Sequence, residues 1–90
     1  MSYGNVSVST SAILIIPANG KRQEFRLINY STSPDCFIGM NNTVTATNGF
    51  ALMAGSEQDS SRGMGSTYLG DIWGITSSGT ADIRWWETTR

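Results

Sequence analysis

Residues 71–87 read Asp71-Ile72-Trp73-Gly74-Ile75-Thr76-Ser77-Ser78-Gly79-Thr80-Ala81-Asp82-Ile83-Arg84-Trp85-Trp86-Glu87. Two alternating runs flank a short polar segment that ends in glycine. Successive side chains of an extended chain point to opposite faces. Ala81, Ile83 and Trp85 therefore share one face, and Asp82, Arg84 and Trp86 share the other. A period of two predicts strands from Asp71 to Thr76 and from Thr80 to Glu87, joined by Ser77-Ser78-Gly79 as a hairpin.

The same pattern extends toward the N-terminus. Val6 and Val8 alternate with serine in a strand from Asn5 to Ser9. Ala12 to Ile16 is an unbroken apolar run, which suits a strand covered on both faces. Pro17-Ala18-Asn19-Gly20 ends it in a tight turn. From Gln23 to Asn29, Phe25 and Leu27 face one way while Glu24, Arg26 and Ile28 face the other. Tyr30 to Asp35 is a turn. Cys36 to Met40 sets Cys36, Ile38 and Met40 against Phe37. A polar loop from Asn41 to Gly49 precedes a short strand from Phe50 to Met53. Further strands are expected at Ser56 to Ser60 and Ser66 to Leu69, with a loop between them.

No stretch of ten or more residues carries helical apolar spacing, and short strands separated by turn residues indicate an all-β protein. The expectation is a single antiparallel β-sandwich over residues 1–90, jelly-roll-like, with about eight short strands. Met1 to Gly4 and Thr88 to Arg90 read as loose ends. Val6, Val8, Ile13, Ile15, Phe25, Leu27, Ile38, Leu52, Ile72, Ile75, Ile83 and Trp85 are expected to form the core.

Charged residues are 14% of the 90-residue chain, well below the ~25% of an average domain, and the net charge is −1. That balance does not suit neutralisation of nucleic-acid phosphates, and no apolar run approaches the ~20 residues of a membrane-spanning helix. Histidine is absent and Cys36 is the single cysteine. Ser/His/Asp and Cys/His hydrolysis and a thiolate metal cluster are thereby excluded. Glu57, Asp59, Asp71 and Asp82 read as solvated or locally bonded acids. Gly63-x-Gly65 with Gly70 has no following helix to make a dinucleotide site. Neither catalysis nor a cofactor nor a required metal is expected, although the Asn41–Gly49 loop has oxygen donors that calcium accepts. Cys36 reads as a small buried apolar residue made in a reducing compartment.

Three side chains are out of phase with one core: Ile28, Phe37 and Trp86. Together with Arg84, which shares the Trp86 face, they are the expected subunit or partner contact, since tryptophan is enriched at interface hot spots. In the alternative, Trp73 or Trp86 stacks on sugar rings.

The order of segments from Val8 to Leu52, with Ile13-Leu14-Ile15-Ile16-Pro17, Phe25-Arg26-Leu27-Ile28-Asn29-Tyr30 and Cys36-Phe37-Ile38-Gly39, and the ending from Asp71 to Trp85, resembles small accessory structural proteins of tailed bacteriophage particles. The resemblance implies a β-sandwich that decorates or cements a capsid, or forms a head or tail appendage. The usual members end in a simpler aliphatic strand, where this chain has Trp85-Trp86. On that resemblance the chain is expected to be a non-enzymatic virion protein made in the host bacterial cytoplasm. Its partners would be its own copies, with a homotrimer favoured because capsid lattices offer three-fold positions, and the major capsid protein or another virion protein. Nucleic acid and membrane are not expected partners. A carbohydrate-binding module for host or glycan attachment and a tail or fibre component are the alternative functions.

Overall fold

The computed structural model describes residues 2–59 and 68–89. Its strands are β1 (Ser2–Val8), β2 (Ile13–Ile16), β3 (Arg22–Asn29), β4 (Cys36–Gly39), β5 (Phe50–Leu52), β6 (Glu57–Asp59), β7 (Ile72–Thr76) and β8 (Ala81–Thr89). They form two four-stranded antiparallel sheets, ordered β1-β8-β3-β6 and β2-β7-β4-β5. First pairs with eighth, second with seventh, third with sixth and fourth with fifth. A long antiparallel ribbon folded back at β4–β5 and then rolled gives this order, which is the jelly-roll arrangement.

Among these strands only β4 and β5 are consecutive in sequence and paired. The hairpin expected at residues 71–87 is therefore corrected: β7 and β8 lie in different sheets. Both strands have buried faces, Ile72, Gly74 and Thr76 on one and Ala81 and Ile83 on the other. The Ser77–Gly79 turn sends the chain across to the second sheet. Gly79 has a φ of 71°, and the Thr76 hydroxyl donates to its carbonyl at 2.8 Å.

Val8, Leu27, Ala81 and Ile83 of one sheet meet Ile15, Ile16, Cys36, Leu52 and Ile72 of the other. Val6, Phe25, Ile38, Tyr68 and Trp85 pack at the margin. Two expected core residues fall outside. Ile13 is exposed, and Ile75 is half-buried, out of phase with buried Ile72 by the alternation of β7. β2 is an edge strand, so its apolar run is not covered on both sides. A bulge between Leu14 and Ile16 breaks the alternation and buries Ile15 and Ile16 together.

Of the expected loose ends, Ser2 to Gly4 and Thr88 to Thr89 are strand, and Met1 and Arg90 lie outside the described residues. Ser2 pairs with Glu87, and Thr89 pairs with Arg22. The strand expected at Ser56 to Ser60 is β6, with Ser60 outside the described residues. Of the strand expected at Ser66 to Leu69, Ser66 and Thr67 lie outside them, and Tyr68 and Leu69 form no strand. Gly63 and Gly65 also lie outside them.

One end of the sandwich is tied by Arg22, which is 1% exposed. Its Nε donates to Glu87 at 2.7 Å, and its terminal nitrogens donate to the carbonyls of Tyr68, Gly70 and Pro17. Asn19 completes the shell, donating to the other Glu87 oxygen at 3.3 Å. A guanidinium has five donors in a fixed fork, so one side chain joins β8, the β2–β3 turn and the approach to β7. Asn29, also fully buried, does similar work at β5 and the turn before β4, donating to the carbonyls of Leu52 and Pro34.

Candidate functional site

The sheet β1-β8-β3-β6 turns its core face inward, so every second residue faces away from the core. Register places Tyr3, Trp86 and Arg26 in one row across the sheet. Asn5, Arg84, Ile28 and Glu57 form the next. Tyr30 follows Ile28 in the same phase. Ile28, Arg84 and Trp86, expected from sequence as contact residues, thus come together on one outer face.

Paired charges and stacked rings organise this face. Arg84 lies 4.0 Å from the Tyr30 ring centroid and 3.2 Å from the Asp82 carboxylate. Arg26 lies 5.7 Å from the Trp86 ring centroid and 3.9 Å from Glu57. The arginine stems border a shallow hollow walled by Tyr3, Ile28, Glu57 and Trp86. Guanidinium stacking on aromatic faces holds the long side chains in place before any partner arrives, which lowers the ordering cost of binding. Tyr3 is 82% exposed and Tyr30 61%. Large aromatics so placed are uncovered contact area on a single chain.

Phe37 is not part of this surface. It lies in the other sheet, opposite Ile75 and Ala51, on that sheet's outer side. Trp73 occupies the same outer side, paired with Leu14 and Gly39. Gly49 approaches within 2.8 Å of the Phe37 Cβ, measured from where its own Cβ would sit. The Asn41–Gly49 loop therefore lies over Phe37, and its Val44 is buried. Trp73 and Trp86 sit on opposite outer faces of the sandwich.

Sequence reasoning missed Tyr3, Tyr30 and Arg26. Tyr3 continues the phase of Asn5 and Ser7, and Tyr30 that of Arg26 and Ile28, so the alternation carried the signal. It was hidden because Met1 to Gly4 read as a loose end and Tyr30 as a turn residue.

The acids have local roles. Asp71 accepts the amide of Ala18 at 2.7 Å and Asp35 that of Ala54 at 2.9 Å. Asp82 and Glu57 pair with the arginines of the outer face. Among the described residues no three His, Cys, Asp or Glu side chains are grouped to hold a metal ion. Burial pushes the Cys36 thiol up to about 11, so it is held as the weakly nucleophilic neutral form at neutral pH. An apolar hollow also opens between the sheets, lined by Phe25, Leu27, Ile38, Phe50, Tyr68 and Ile72. Compared with known proteins, the chain matches no family model, no curated protein and no solved structure.

Proposed function

We propose that this chain is a non-enzymatic structural protein of a phage virion, a homo-oligomer that binds the capsid exterior through the outer face of the sheet β1-β8-β3-β6. The observation that carries the contact is the convergence of Ile28, Arg84 and Trp86 with exposed Tyr3 and Tyr30 on that face. Tyrosine, tryptophan and arginine dominate protein interface hot spots. The virion setting rests on the segment resemblance. Jelly rolls serve in capsids, lectins and cupins alike, so the fold itself favours none of them.

The test is co-sedimentation of the protein with emptied capsids of the phage that encodes it. Wild type should pellet with the capsids, and Trp86→Ala should lose affinity by about 2 kcal/mol or more. Wild-type protein left in the supernatant contradicts the proposal. Binding on a glycan array that Trp86→Ala abolishes would move the function to carbohydrate recognition.

A further inference from the structure

A sheet edge presents unpaired N–H and C=O groups to any strand that can lie beside it, and folded proteins protect their edges against this. Among the described residues four strands lie at sheet edges: β1 and β6 in one sheet, β2 and β5 in the other. β5 is three residues long, which is itself protection, and β6 carries charge at Glu57 and Asp59. β2 is interrupted by its bulge. β1 is different. It runs seven residues, Ser2–Val8, pairs with β8 in unbroken register, and contains neither charge nor proline. Among the described residues its backbone pairs with β8 alone.

We propose that β1 is the self-association edge of this protein, pairing antiparallel with β1 of a second copy about a two-fold axis at Asn5. The proposal rests on the reading of the chain as a self-assembling module, and adds where the copies meet. A strand pairing antiparallel with its twin sets only its central residue opposite its own kind, but any net charge on the edge would still face the same charge on the partner; β1 carries no charge. Asn5, at its centre, is exposed, and an amide both donates and accepts, so it can bond an identical amide across the axis. Tyr3 then stands opposite the partner's Ser7, and Gly4 opposite the partner's Val6. The axis is perpendicular to the sheet, so both outer faces point the same way. Two Trp86 surfaces become one surface across eight strands, able to grip a repetitive partner with two linked contacts. Like-with-like strand pairing closes at two subunits, so the basic unit is a dimer rather than the trimer that lattice symmetry suggests.

The test uses cysteine placement in the full chain, where buried Cys36 does not compete. Residues facing each other across a strand pair have Cβ atoms about 4.5–5.5 Å apart, near disulfide range. Asn5→Cys should therefore form a covalent dimer under mild oxidation. Ser7→Cys lies four residues from its twin, at roughly 13 Å, and should remain monomeric on a non-reducing gel. As a check that introduces no thiol, Asn5→Asp should weaken the native dimer about fivefold by like-charge opposition. Failure of Asn5→Cys to cross-link, or equal cross-linking of both variants, overturns the assigned edge, as does a native trimer. An oligomer indifferent to Asn5→Asp removes the edge but keeps the module reading. A wild-type monomer removes both.

Discussion

Arg22 shows how much one residue can hold. It is buried among four carbonyl and carboxylate partners drawn from three parts of the chain. Removing one member of a buried, hydrogen-bonded ion pair leaves an uncompensated charge and costs about 3–5 kcal/mol. Arg22→Ala should lower the free energy of unfolding by that amount in denaturant titration. Arg84→Ala, which breaks an exposed pair, should cost less than about 1 kcal/mol. Nothing local in the sequence marks Arg22. Its carboxylate partner is 65 residues away, and the shift in register between Arg22 and Glu24 takes it out of the alternation that made Phe25 and Leu27 legible.

Cys36 gives a pH-dependent expectation at the same scale. The buried thiol ionises near 11, against 9.0 when solvated. Below pH 9 both states hold the proton, and the contribution of this group to stability is fully present. Between about 9 and 11 the unfolded chain releases the proton while the folded chain keeps it, so stability falls as pH rises. The denaturation midpoint of wild type should fall over that range by more than that of Cys36→Ala. An identical pH profile for the two proteins would contradict the burial argument.

At the scale of elements, β8 divides its tryptophans between two tasks. Trp85 packs at the margin of the core, and Trp86 lies on the opposite face. Trp85→Ala should cost about 3 kcal/mol of stability. Trp86→Ala should fold with a melting temperature close to wild type and lose binding. If both merely unfold the protein, the division is wrong. β7 offers a second check. A Cβ on Gly74 would stand 2.6 Å from the Ile15 Cδ1 and 3.2 Å from the Cys36 sulfur. Gly74→Ala should therefore destabilise by about 1–3 kcal/mol through overpacking. Glycine here admits side chains of the neighbouring strands.

Strand positions were legible because a period of two survives in β1, β3, β7 and β8 without tertiary information. Pairing was not. The three-residue Ser77–Gly79 turn suits a hairpin as well as a crossing between sheets, and the choice is made by which faces must be buried. The bulge in β2 was equally hidden, since Ile13 and Ile16 are chemically alike and only register separates them. Ile28, Arg84 and Trp86 share one outer face because they sit out of phase with the core on neighbouring strands. Phe37 shares that phase property but belongs to the other sheet, which no local pattern states.

For the whole molecule, the two outer faces differ in kind. One carries Arg26, Arg84, Glu57 and Asp82 among aromatic rings. The other places Leu14, Trp73, Ile75, Phe37 and Ala51 in its central rows, with no charge among them. A 90-residue domain buries only about 60–65% of its unfolded surface and lacks reserve stability, which association can supply. The proposed function requires assembly through surfaces that the described fold leaves uncovered. Sedimentation equilibrium across a range of protein concentrations tests it most directly. Pairing at β1 should give a mass that rises to twice the 9.7 kDa of the chain; a mass fixed at 9.7 kDa up to high micromolar concentration would rule assembly out.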